Sequence, residues 1–83
     1  MSGNARVLTF AAAREVMGRS EFEVPLDAPV TARAFLDALI DGCPALRPYN
    51  SSLRVAVNGA YVRWDDEINP GDEVAIIPPV AGG

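Results

Sequence analysis

Eighty-three residues, 49% hydrophobic and 22% charged, make one small globular domain able to bury ~60–65% of its unfolded surface. A net charge of −4 argues against a nucleic-acid binder, which is normally basic, and suits docking onto positively charged partner surfaces. No histidine, one cysteine and no run near the ~20 apolar residues of a membrane span exclude Ser-His-Asp and Cys-His nucleophiles, histidine metal sites, iron–sulfur clusters and transmembrane helices.

In chain order, Arg6 to Phe10 is β-branched and aromatic enough for a first strand. Ala11 to Met17 reads as a short helix closed by Gly18. Glu21 to Leu26 alternates with the period of a half-buried strand, and Pro25, Asp27 and Pro29 mark the turn after it. Thr31 is placed to cap a helix over Thr31 to Asp41, whose Phe35, Leu36, Leu39 and Ile40 share one face. Gly42 is the expected stop, and Pro44 and Pro48 punctuate an irregular crossover. Leu53 to Val57 alternates as a strand, Asn58-Gly59 is a strong two-residue hairpin signal, and Ala60 to Trp64 is the returning strand. Asn69-Pro70-Gly71-Asp72 has the form of a type II turn before a last, mostly apolar strand over Glu73 to Ile77. This order predicts a single α+β roll with a helix on one sheet face, without repeat or linker.

The sequence closes on Pro78-Pro79-Val80-Ala81-Gly82-Gly83. Paired prolines favour an extended path, and glycine, lacking Cβ, enters slots too narrow for other residues. An arm from Pro79 to Gly83 reaches roughly 16 Å at ~3.3 Å per residue. Such an arm suits a protein whose working group is its own terminal carboxylate; the alternative is a frayed terminus, where Gly and Pro also gather. Met1 to Arg6 has no apolar stretch of signal-peptide length, and one cysteine allows no internal disulfide, so a reducing, cytoplasmic setting is expected. All seven basic residues are arginine, leaving no side-chain amine to accept another copy in isopeptide linkage.

Other residues have two readings. Cys43, just past the helix, is either a small buried hydrophobe or a sulfur relay, though no base neighbours it in sequence. Asp65-Asp66-Glu67 reads as a solvated acidic turn or a partner-facing patch, and no metal is expected there. Trp64 and Tyr61 are core or interface residues. If Val74 and Ile76 face the helix, alternation sends Ala75 and Ile77 outward, where Phe10 and Tyr61 are the candidates to join Ile77 in binding a partner.

The stretches Val7-Leu8-Thr9-Phe10-Ala11-Ala12-Ala13-Arg14-Glu15, Ala56-Val57-Asn58-Gly59, Tyr61-Val62 and, above all, Gly71-Asp72-Glu73-Val74-Ala75-Ile76-Ile77-Pro78-Pro79-Val80-Ala81-Gly82-Gly83 resemble the small-subunit family of molybdopterin synthase, which are ubiquitin-like sulfur carriers. Related thiamine sulfur carriers also end in Gly-Gly but generally lack the double proline; Ala60 departs from the polar residue often found after Asn-Gly. The resemblance implies a β-grasp (ubiquitin-like) domain over residues 1–78, with a five-stranded mixed sheet and a helix on one face, and an extended tail over 79–83. It implies that Gly83 is adenylated by an ATP-dependent, ubiquitin-activating-like adenylyltransferase and converted to a thiocarboxylate by a sulfur donor protein. Pro79, Val80, Ala81 and Gly82 would insert into the large synthase subunit, within a heterotetramer of two small and two large subunits. Sulfur would pass there to a cyclic pyranopterin precursor to form the molybdopterin dithiolene. The active site would belong to the large subunit, with no cofactor bound by this chain and ATP consumed only by the activating enzyme. A carrier for thiamine thiazole or another sulfur pathway, and a ubiquitin-like protein modifier, are the alternatives.

Overall fold

A computed structural model describes residues 3–78. Strand β1 (Asn4–Thr9) leads into helix α1 (Ala11–Met17), then β2 (Glu21–Pro25), the two-residue β3 (Val30–Thr31) and helix α2 (Ala32–Gly42). A 3-10 helix (Pro44–Tyr49) precedes β4 (Arg54–Val57), β5 (Ala60–Tyr61), β6 (Glu67–Ile68) and β7 (Glu73–Ile77). The main sheet runs β2-β1-β7-β4-β5, and β3 with β6 forms a second, two-stranded ladder. At the sheet centre β1 and β7 are parallel, flanked by the antiparallel pairs β1–β2, β4–β7 and β4–β5. This is the β-grasp arrangement, a five-stranded mixed sheet holding one long helix.

Alternation along the strands builds the core. Ala5, Val7 and Thr9 of β1, Val74 and Ile76 of β7 and Val55 of β4 are buried, and α2 covers them with Ala32, Phe35, Leu36, Leu39 and Ile40. Each large apolar side chain taken fully out of water contributes about 1.5–3 kcal/mol. Among the described residues Thr9 is the one buried polar member; its hydroxyl donates to the Arg19 carbonyl. Among the described residues, no helix is long and apolar enough to cross a membrane.

Several local expectations hold in detail. Gly18 takes the left-handed conformation (φ 75°) and its N–H bonds the Arg14 carbonyl, closing α1. Thr31 caps α2 by accepting the Ala34 N–H at 3.1 Å. Asn58 (φ 51°) and Gly59 (φ 88°) form the hairpin turn in which both central residues have positive φ. In the Asn69–Asp72 turn, the Asp72 N–H reaches the Asn69 carbonyl at 3.0 Å with Gly71 at φ 92°.

Three expectations need correction. Gly42 is the last residue of α2 rather than its left-handed stop; Cys43 caps the helix at φ −139°, donating its N–H to the Leu39 and Ile40 carbonyls. The crossover at Pro44 to Pro48 is an ordered 3-10 helix, with Leu46 buried under it and Pro44 in its first turn, where a missing N–H costs nothing. The returning strand stops at Tyr61 rather than Trp64. Past Val62, whose N–H still reaches the Val55 carbonyl at 3.2 Å, the chain serves α2 instead of β4. The Trp64 carbonyl accepts the Arg33 N–H at 3.0 Å and the Asp66 carbonyl the Ala32 N–H at 2.8 Å. These N–H groups of the first turn have no partner inside their own helix, so the chain satisfies them at the expense of two further strand residues.

Candidate functional site

The strand positions that alternate with the core residues make the opposite face of the sheet, which no helix among the described residues covers. Directly paired residues share a face, so the ladders assemble rows across it. One row runs Glu21, Leu8, Ala75, Ala56 and Tyr61 from β2 to β5. In the next, Ile77 stands opposite Arg54, and the parallel register carries Phe10 alongside it. Ala56 is buried without belonging to the helix-side core, and Ala75 and Ile77 are half-buried. Phe10 remains 49% exposed and Tyr61 70%, the two large exposed apolar side chains among the described residues. Val74 and Ile76 against the helix, with Ala75 and Ile77 outward, is the register expected from alternation.

Local geometry fixes each of these side chains. Phe10 is still extended (φ −133°, ψ 152°), so it stays on the open face, and its carbonyl receives the Ala13 and Arg14 N–H groups of α1. The turn into that helix is made by Ala11 at φ 49°, a left-handed conformation costing a non-glycine residue about 1 kcal/mol or more. Tyr61 is held by the hairpin, and the hairpin by Asn58. The Asn58 side chain accepts the Glu73 N–H at 2.9 Å and donates to the Asp72 carboxylate at 3.0 Å; its backbone N–H reaches the Glu73 carbonyl at 2.8 Å. Asp72 in turn accepts the Asn69 N–H at 2.8 Å, so the two turns bordering β7 are one hydrogen-bonded unit. Asn58 therefore serves both as a positive-φ turn residue and as a clamp, and only the first role was legible from Asn-Gly.

Strand β7, at the sheet centre, delivers the chain through Ile77 to Pro78, the last described residue. The tail residues Pro79, Val80, Ala81 and Gly82 and the proposed carrier Gly83 lie outside the described residues.

The remaining candidates fall elsewhere. Cys43 is half-buried at the end of α2, in a cleft with Met17, Arg19, Phe22 and Leu39 on the helix side, and packs against the core. Trp64 is half-buried against the core with the Arg33 guanidinium 4.5 Å above its ring, so of the two aromatic candidates only Tyr61 stands on the open face. Within Asp65-Asp66-Glu67, the Asp66 carboxylate accepts the Arg63 N–H at 2.8 Å, and Glu67 pairs with Thr31 in the small ladder. Reading by segments missed Leu8, Ala56 and Arg54 as members of the open face. The alternation of Leu53-Arg54-Val55-Ala56-Val57 carried that information once the register with β7 was known.

Comparison with known proteins gives a consistent picture. The model of the ThiS family matches residues 7–83. The molybdopterin synthase sulfur carrier subunit of Escherichia coli (strain K12) is 40% identical over 80 residues, covering 94% of this chain and 98% of that protein. The crystal structure of the small archaeal modifier protein SAMP1 from Haloferax volcanii superposes with a TM-score of 0.81 at 32% identity, covering 98% of this chain and all of that one. A chain from the complex of subunits 1 and 2 of the molybdopterin-converting factor of Helicobacter pylori 26695 matches with a TM-score of 0.66 over 96% of this chain and 99% of its own; at 18% identity it shows the shared fold alone.

Proposed function

The chain belongs to the ThiS family, and from that premise we propose that it is the sulfur-carrier subunit of a molybdopterin synthase. The near full-length likeness to the Escherichia coli sulfur carrier subunit is the observation that carries this reading. A carboxylate is a poor electrophile, so Gly83 is first joined to AMP with release of pyrophosphate. Sulfide released by a sulfur donor then displaces AMP at the acyl carbon, leaving a C-terminal thiocarboxylate. That sulfur attacks the cyclic pyranopterin precursor in the large subunit, and hydrolysis of the resulting acyl link returns the free carboxylate. Two sulfurs are needed for each dithiolene, so the arm is recharged or exchanged between them.

The division of labour follows from the residues. The small subunit supplies an arm, with Pro79, Val80, Ala81 and Gly82 threading the partner's slot, and the large subunit supplies the pocket and the acid–base groups. The gain is proximity: a sulfur held beside its target reacts as though at very high concentration. Phe10, Tyr61 and Ile77 dock against the large subunit, supported by their shared place on the uncovered face where β7 releases the tail. A 2:2 assembly in the cytoplasm, with a ubiquitin-activating-like adenylyltransferase and a sulfur donor protein as earlier partners, completes the reading.

The test is the intact mass of the protein purified from its own cell. A fraction shifted by about 16 Da, sulfur replacing oxygen, is expected on the C-terminal peptide and not on Met1, Met17 or Cys43, whose oxidation adds the same nominal mass. Unmodified carboxylate alone, even with activating enzyme, ATP and sulfur donor supplied, would sink the carrier reading. Sulfur delivery to thiazole synthesis without binding to a large subunit would replace it with the thiamine alternative.

The likeness to SAMP1 favours a second reading, transfer of the same activated glycine to lysines of other proteins. With no lysine of its own, this chain would add singly to its targets and not extend chains through its own side chains. Discrete bands above the free protein in an immunoblot of cell extract would support it; the free protein alone would remove it.

A further inference from the structure

The open face of the sheet is electrically lopsided. At the end where β7 begins, Arg6 faces Glu23 on one side and Glu73 on the other, and its guanidinium is ion-paired with Glu21. Three carboxylates therefore surround one cation. Four residues further along β7, roughly 13 Å away, Ile77 begins the exit to the tail, and opposite it stands Arg54. Arg54 is exposed, and among the described residues its side chain makes no ion pair or hydrogen bond. With Tyr61 and Val62 it lines a shallow depression of about 340 Å³. Between the acidic end and Arg54 lies the apolar row of Leu8, Ala75, Ala56 and Tyr61.

We propose that Arg54 is the specificity-determining contact of the docking face, pairing with a carboxylate of the large subunit at the mouth of the slot that receives the tail. This rests on the synthase reading above. Apolar surface is non-directional and does not by itself decide which way a sheet lies on its partner. Charges of opposite sign at the two ends of the face decide it: matched placement is favoured, and a half-turn reversal brings like charges together. Only one of the two placements points the tail into the slot. An arginine suits the task because its planar guanidinium forms two parallel bonds with a carboxylate. Sharing its depression with exposed Tyr61, Arg54 would also be desolvated as the complex closes, which strengthens the pair.

The experiment is titration calorimetry of the full chain against the large synthase subunit at low and high salt. Arg54→Gln is expected to weaken binding about tenfold at low salt and much less at 0.5 M, a concentration that screens exposed charges (about 10 Å Debye length at 0.1 M, shorter above). Arg54→Glu is expected to weaken it further, and Arg54→Lys to restore part of the loss. Arg47→Gln, which removes the same charge from the exposed 3-10 helix, is the control for net charge. Circular dichroism of each variant checks the fold. An affinity and salt dependence for Arg54→Gln equal to those of Arg47→Gln would overturn the assignment of Arg54. Failure of the unaltered protein to bind the large subunit would instead overturn the synthase reading on which it stands.

Discussion

The two faces of the one sheet are built from the same strands and differ in everything but backbone. On the helix side Val7, Val74 and Ile76 are fully buried and meet Leu36, Leu46 and Ile68. On the other side the same strands carry Leu8, Ala75 and Ile77, flanked by Phe10 and Tyr61, with no helix or strand of the described residues over them. One face consumes its apolar surface within the chain, and the other retains it. A single-residue step along β7, from Ile76 to Ile77, passes from the core to the open face.

Substitutions on β7 test that division most sharply. Ile76→Ala removes a wholly buried side chain at the sheet centre and is expected to cost about 2–5 kcal/mol, read from urea or guanidinium unfolding. Binding by the fraction still folded should be unchanged. Ile77→Asp and Tyr61→Asp are expected to do the reverse. Each should cost about 2 kcal/mol or more in binding to the large subunit, because an ionised carboxylate enters an apolar contact without a partner, while the melting transition moves little. Deleting Gly82 and Gly83 belongs with neither, abolishing sulfur delivery while leaving most of the body-to-body affinity. Unchanged affinity in both aspartate variants would mean that the partner sits on another surface.

Smaller effects are expected on the helix side. Cys43→Ala trims a half-buried thiol and should cost about 1 kcal/mol of stability with sulfur transfer intact. Loss of transfer in a normally folded Cys43→Ala protein would move the sulfur relay onto that side chain. Thr31→Ala removes the cap of α2 and should cost about 1 kcal/mol in unfolding experiments, with docking unaffected.

What the sequence disclosed depended on the range of the interaction. Helix α1 and strand β7 were readable to the residue, because a helix-forming run closed by Gly18 and an apolar run after a Pro-Gly turn are local signals. Strand β5 was overrun because nothing between Tyr61 and Trp64 records that the backbone there caps α2. The β3–β6 ladder went unseen for a related reason: two residues on each side carry no period, and their pairing is set by the same cap. On the open face, Phe10, Tyr61 and Ile77 stood out as apolar residues out of place. Arg54 did not, since an arginine in an alternating strand reads as ordinary solvent exposure. Its position became meaningful only through its register opposite Ile77.

The parallel pairing of β1 with β7 also governs when this protein comes into being. Val7 meets Val74 with nearly the whole domain between them, so the central ladder closes a very long loop, and β7 is made after every other strand of the domain. Until β7 has left the ribosome, β1 has β2 on one side and an open edge on the other, and β4 has no central neighbour at all. The fold is therefore completed late and in one step. A chain truncated before β7 has no sheet centre and so no continuous open face. A partner docking as proposed would thereby select molecules translated at least to the root of the tail.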